Sequence, residues 1–210
     1  MLAHALFEPI GAETDEPLPL LVMLHGSGEV WSNELWFMSY SFPKVMTEWE
    51  LEGFNAYVLC PHLSGRFGYK HWTAGYCVQN LRDLISWISK DYNIDQDKIY
   101  IMGASLGGIG AQYMAVEMAD VFKKCVVFNG YQVGTDIRRI EMPIRGYVGS
   151  YFNGEDSRSV AYMMGTFASV IGEDNVFQLP TSHVNLPRDA MYLDEDENNR
   201  SDIVEWLFSE

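Results

Sequence analysis

The stretch Lys98-Ile99-Tyr100-Ile101-Met102-Gly103-Ala104-Ser105-Leu106-Gly107-Gly108 decides the fold, because its pattern changes period at Ser105. Residues 98–102 are a short run with β-branched and aromatic content, which reads as a strand. From Leu106 to Asp120 the apolar side chains recur at helical spacing, among good helix formers such as Ala111, Met114, Ala115 and Met118. A serine between such a strand and such a helix sits on a sharp turn. Gly103 and Gly107 lack the Cβ atoms that would keep the neighbouring backbones apart. The turn lifts the serine hydroxyl above the sheet edge, with the free N–H groups of a helix N-terminus behind it. That is the arrangement of a nucleophile elbow. The other reading is a glycine-rich turn at a dinucleotide site. It requires Gly-x-Gly-x-x-Gly, which the glycines at 103, 107, 108 and 110 do not supply.

Outward from the elbow, strand-like and helix-like segments alternate. Leu18–Leu24 and Ala56–Cys60 are apolar runs, the second ended by Pro61. Between Trp72 and Tyr92, Val78, Leu81, Leu84, Ile85 and Ile88 share one helical face. Beyond the elbow helix come strands at Cys125–Phe128, Ile144–Val148 and Val176–Leu179, a helix over Ser157–Ile171, and a closing helix over Ser201–Phe208. Such alternation predicts a doubly wound, mainly parallel sheet with helices on both faces, as a single α/β domain over residues 1–210. Only Gly130–Pro143 separates the fourth strand from the fifth, too little for a large lid domain, so an open cleft is expected.

A serine hydroxyl needs a base. Of the five histidines, His4 lies in a weakly patterned stretch, His62 and His71 follow the second strand, and His25 ends the first. His183 follows the last strand. A parallel sheet gathers all strand carboxyl ends on one side, so His183 is placed to overhang Ser105. The acid of a triad belongs after the fifth strand. Asp156 is the first choice because its shorter side chain grips an imidazole more stiffly, with Glu155 the alternative and Asp136 third. Asp156 would serve equally as the N-cap of the Ser157 helix. Two backbone N–H groups must hold an oxyanion. The expected donors are Leu106, directly after the nucleophile, and Ser27, in the turn His25-Gly26-Ser27-Gly28. His25 itself is expected to brace that turn by bonding to backbone. Glu29 either pairs with a cation such as Arg66 or faces water.

The elbow, the His-Gly turn, the late acid and the late histidine make the chain resemble the α/β-hydrolase superfamily over nearly its whole length. His25-Gly26-Ser27-Gly28-Glu29, Gly103-Ala104-Ser105-Leu106-Gly107-Gly108, and Tyr92-Asn93-Ile94-Asp95 running into Lys98-Ile99-Tyr100-Ile101 are similar to small carboxylesterases related to polyhydroxybutyrate depolymerases and feruloyl esterases. The resemblance implies Ser105 as nucleophile, Asp156 as acid and His183 as base, with no cofactor. Residues 1–20 do not read as the secretion signal usual in that family, the segment around Glu155 and Asp156 is unusual, and Leu106 stands where methionine is common.

Charge and composition bound the partners. Twenty-nine acidic against 14 basic residues give a net charge of −15, which disfavours nucleic acid and anionic membranes. No apolar run reaches membrane-spanning length, and residues 1–20 lack a signal-peptide pattern, so a cytoplasmic protein is expected, or a secreted one whose leader has been removed. Cys60, Cys77 and Cys125 form no Cys-x-x-Cys pair and read as reduced core residues, and no metal site is expected. Asp194-Glu195-Asp196-Glu197 reads as a solvated loop. Nothing in the sequence sets an oligomeric state. Aromatic residues crowd two segments near the expected site: Trp31, Trp36, Phe37, Tyr40 and Phe42, then Phe67, Tyr69 and Trp72. They read either as packing under long loops or as an apolar wall, with Trp31, Trp36 and Trp72 the candidate substrate contacts. With the acidic surface, such a wall suggests a neutral ester of small, medium-chain or aryl type. The competing readings are a serine peptidase or thioesterase on the same triad, and a non-catalytic binding protein on the same scaffold.

Overall fold

The computed structural model describes residues 2–9, 15–30, 55–65, 68, 70–131, 134–149, 156–183, 185–187, 190 and 202–209. Among these residues seven strands form one sheet: β1 (Ala3–Phe7), β2 (Leu18–Leu24), β3 (Tyr57–His62), β4 (Ile94–Ala104), β5 (Cys125–Phe128), β6 (Ile144–Gly149) and β7 (Val176–Leu179). Their order across the sheet is β1-β3-β2-β4-β5-β6-β7. All neighbours run parallel except β1, which pairs antiparallel with β3, from Ala3 opposite His62 to Phe7 opposite Val58.

Side chains alternate along each buried strand, and the two faces feed two separate cores. Leu20, Val22 and Leu24 of β2, Ile99 and Ile101 of β4, and Cys125 and Val127 of β5 point to one face. There they meet α1 (Gly75–Asp91) through Leu81, Leu84 and Ile88, and α2 (Leu106–Glu117) through Ala111, Met114 and Ala115. Leu21, Met23, Tyr100, Met102, Val126 and Phe128 point to the other, against Ile203, Val204 and Leu207 of the closing helix (Asp202–Phe208). Helices on both faces explain why β2, β5 and residues 99–104 of β4 are apolar at consecutive positions: there neither face meets water. The doubly wound sheet with helices on both faces is therefore what this sequence forms.

Several elements depart from the sequence expectation; β4 begins at Ile94 rather than Lys98, and α2 ends at Glu117 rather than Asp120. β1 is an added edge strand in a stretch that carries little strand pattern. Pro61 does not end its strand: β3 continues to His62, beyond its last pair with β2 at Leu59, where one flank faces no strand and a missing N–H is tolerated. The helix expected over 157–171 is composite, with α3 (Asp156–Ala161) leading into a π-helical segment (Tyr162–Phe167) and a last α-turn (Ala168–Ile171). All three cysteines are buried and unpaired in disulfides, and burial pushes each thiol above its ordinary range, Cys77 to about 12.

The chain leaves β2 toward β3 on one side, while β4 lies on the other. The crevice at the carboxyl ends of β2 and β4 is thus a topological switch point, the usual ligand site of an open α/β sheet. Ser27 follows β2 and Ser105 follows β4.

Candidate active site

Ser105 adopts φ 56° and ψ −116°, a left-handed conformation that costs a residue with a Cβ on the order of 1–3 kcal/mol. The surroundings over-determine it. The Ser105 N–H donates to the carbonyl of Phe128 at 2.9 Å, and its carbonyl accepts from Ile109 N–H at 3.0 Å, opening α2. Its hydroxyl does not cap α2, so it is not spent on the helix that it starts. The glycines make the corner possible. A Cβ on Gly103 would overlap the carbonyl of Gly107, and one on Gly107 would overlap the carbonyl of Leu24.

The turn after β2 closes against this corner, where a Cβ built on Gly26 would lie 3.6 Å from the Ser105 Cβ. Ser27–Glu29 form a single 3-10 turn, with Ser27 exposed and Glu29 buried. His25 holds the turn from below. Its Nε2 accepts from Leu63 N–H at 2.8 Å, so the ring proton sits on Nδ1, which donates to the Gly26 carbonyl at 2.7 Å. His62 Nε2 donates to the Glu29 carbonyl at 3.0 Å, and the Trp72 indole N–H donates to the His25 carbonyl at 3.0 Å. Glu29 therefore does not face water. Its Oε2 lies 3.9 Å from His25 Nδ1, too far for a hydrogen bond, and Arg66 is outside the described residues.

Burial drives the His25 pKa down to about 3, with the neighbouring His62 adding a smaller push, so the ring stays neutral. The unfolded chain takes up that proton near pH 6.5. The stability contributed by a neutral His25 is complete above pH 6.5 and falls by about 1.4 kcal/mol per pH unit as pH drops toward 3. The expected outcome is that His25 ring resonances in NMR stay fixed from pH 8 to 4.5 while the urea midpoint declines below pH 6.5. A His25 titration near pH 6.5 in the folded protein would show that the ring is not locked this way.

Above the turn and the elbow lies a cavity of about 410 Å³. Ser105, Leu106, Ser27 and His183 all line it, so four of the residues singled out in the sequence come together. Val30, Ile109 and Tyr131 add apolar surface, and Lys70, His71, Arg158 and Ser159 complete the described lining. Trp72 is not among them. It is fully buried beneath, its ring against α2 at Gly110, where a Cβ would strike the indole. The packing reading of Trp72 replaces the substrate-contact reading, since a side chain with no exposed surface cannot wall a cleft. Trp31 and Trp36 lie outside the described residues, as do Glu155 and the side chain of Asp156, although Asp156 does open α3. Asp136 is engaged elsewhere. Its carboxylate accepts from the Arg138 side chain at 2.8 and 2.9 Å, which holds it below the usual carboxylate range.

Asn129 is a positioning residue that the sequence reading passed over. It follows β5, is 1% exposed, and takes φ 48°. Its Oδ1 accepts from Gly149 N–H at 2.9 Å, its Nδ2 donates to the His183 carbonyl at 3.2 Å, and its own carbonyl accepts from Ser159 Oγ at 3.1 Å. One side chain thereby ties the end of β6 to the His183 loop, while its backbone anchors α3. Gly149 admits the same loop, for a Cβ there would lie 2.6 Å from the Thr181 carbonyl. The available signal was the pair Asn129-Gly130 directly after a strand, since asparagine tolerates left-handed backbone. Among the described residues no cluster of His, Cys, Asp and Glu is arranged to hold a metal, and no helix is long and apolar enough to cross a membrane.

The model of the Esterase family matches residues 61–199, most of the chain. This chain belongs to that family. Among solved structures, the Esterase-family fold described above matches a thermostable esterase (TM-score 0.68, 21% identity, covering 98% of this chain and 58% of that one). It also matches FphF, a fluorophosphonate-binding serine hydrolase of Staphylococcus aureus (TM-score 0.66, 16% identity, 100% and 93% covered). A feruloyl esterase module of Clostridium thermocellum, complexed with sinapinate, aligns with TM-score 0.61 at 15% identity, over 89% and 79% of the two chains. A curated relative, "Probable acetylxylan esterase A" of Aspergillus flavus, is 25% identical over 64 residues, 30% of this chain. The matched segment spans about a fifth of that relative's length.

Proposed function

We propose that this Esterase-family chain hydrolyses carboxylic esters through Ser105 and His183. The observation that carries the reading is the strained, uncapped Ser105, sharing one cavity with His183 and with the first N–H groups of α2. His183 takes the Ser105 proton as Oγ attacks the ester carbonyl carbon. Charge developing on the carbonyl oxygen is held by the N–H groups of Leu106 and Ser27. The C–O bond to the alcohol breaks and His183 protonates the departing oxygen, leaving an acyl group on Ser105. Water, deprotonated by His183, then attacks that acyl-enzyme and restores the serine. Asp156, at the start of α3, is the proposed acid that holds the His183 ring.

Val30, Leu106, Ile109 and Tyr131 form an apolar lining suited to small or medium acyl groups or an aryl ring. The same triad chemistry serves thioesters and peptides, so the test compares a short-chain p-nitrophenyl ester, an acyl thioester and a peptide p-nitroanilide. The expected result is a kcat/KM for the ester at least 100-fold above that for the anilide, with all turnover lost in His183→Ala. Preferential cleavage of the anilide, or turnover that survives in His183→Ala, would overturn the reading.

A further inference from the structure

Acidic residues outnumber basic ones two to one in this chain, 29 to 14, yet the charged side chains that line the cavity within the described residues, Lys70 and Arg158, are both basic. They come from different elements: Lys70 precedes α1, and Arg158 projects from α3, next to the Ser159 that is fastened to the Asn129 carbonyl. Arg158 is exposed and makes no ion pair with a described carboxylate. From these observations we infer that the substrate of Ser105 carries an oxyanion, a carboxylate or a phosphate, held by Arg158 and Lys70 while its ester group lies on the elbow.

Two physical points support this assignment against the neutral ester that overall charge suggests. First, the net charge of −15 belongs to the chain as a whole, and at physiological ionic strength the field of an exposed charge is screened beyond about 8 Å. Side chains in the cavity wall act at shorter range than that, so the local sign decides. Second, the wall is divided in character. Val30, Leu106 and Ile109 offer an apolar stretch for the body of a ligand, while the guanidinium presents a planar fork of donors matched to a carboxylate or phosphate. A ligand with an apolar body and one anionic end satisfies both parts. The tether of α3 through Ser159 and Asn129 keeps the Arg158 backbone fixed relative to the His183 loop, so the distance from anion to ester is set by the fold.

The inference rests on the esterase reading, and the test separates the two. The probes are 4-acetoxybenzoate, 4-acetoxyphenyl phosphate and the neutral 4-acetoxybenzamide, which deliver the same acetyl group to Ser105. Expected is a ratio of anionic to neutral kcat/KM that falls at least tenfold in Arg158→Gln and further in the Lys70→Gln/Arg158→Gln double variant, mainly through KM. Arg158→Lys should recover part of it, and 0.5 M NaCl should lower the ratio in the native protein. Whichever anionic probe shows the larger loss identifies carboxylate or phosphate as the group held. An unchanged ratio in both variants overturns the anion site and leaves the esterase reading standing. Failure of the native protein to cleave any of the three overturns both.

Discussion

Ser105→Ala is expected to lower kcat on a short-chain ester by about 10⁴-fold or more, with little change in fold. The magnitude follows from removing the atom proposed to form the acyl-enzyme, because the remaining groups can only orient water and stabilise charge. Alanine keeps the Cβ and therefore keeps the unfavourable φ of 56°. Ser105→Gly removes that Cβ as well. It should be equally inactive and about 1 kcal/mol more stable than Ser105→Ala, because glycine occupies this backbone region without penalty. Steady-state kinetics and urea denaturation of the two variants check both halves. Equal stability of the two would mean that the elbow is not strained, and residual activity near the native level would remove Ser105 from the reaction.

Gly107→Ala has the largest expected effect on stability. The new Cβ would overlap the Leu24 carbonyl at the end of β2 and lie 2.7 Å from the carbonyl oxygen of His25. Both obstacles are backbone atoms in the centre of the sheet, so neither can swing aside as a side chain would. Relief requires separating α2 from β2, against apolar contacts made by fully buried residues such as Leu24 and Ala111. A loss of about 4 kcal/mol or more is expected, a large part of the roughly 5–15 kcal/mol that stabilises an ordinary domain. Low soluble yield or a strongly reduced urea midpoint would register it. Gly28→Ala is the control, since a Cβ there meets no atom of the described residues within 4 Å and should shift the midpoint by no more than about 0.5 kcal/mol.

Gly103 and Gly107 also show why the elbow was legible in the sequence. A strand pattern, a serine between glycines and a helix pattern are local signals, and each has one physical explanation. The strands β2, β5 and β7 were legible to the residue for a similar reason, because short runs that are apolar except for Gln178, bounded by proline or polar residues, leave little choice of ends. β1 was not. Ala3-His4-Ala5-Leu6-Phe7 has no β-branched residue, and it becomes a strand through pairing with residues 58–62, a long-range contact that no local pattern announces.

The site divides along the same line. That Ser105, His183, Leu106 and Ser27 share one cavity was readable because strand carboxyl ends in a parallel sheet converge, so chain order alone places them near one another. Trp72 was grouped with an aromatic wall because sequence proximity cannot distinguish the top of a cleft from its underside. Gly110 was the overlooked counterpart, a glycine inside a helix that leaves room for the indole. Arg158 and Lys70 are not legible in the sequence, because a single cation in a polar segment carries no pattern until the fold brings both to one cavity. Asn129 acts through three hydrogen bonds to residues 20, 30 and 54 positions away, which only the assembled sheet brings within reach.

The most direct test of the central claim is to treat the native protein with a fluorophosphonate and locate the adduct by peptide mass spectrometry. One adduct is expected, on the peptide containing Ser105, absent in Ser105→Ala and formed much more slowly in His183→Ala. A folded native protein that takes no label, or that carries it on another residue, would contradict the assignment of Ser105 as the nucleophile.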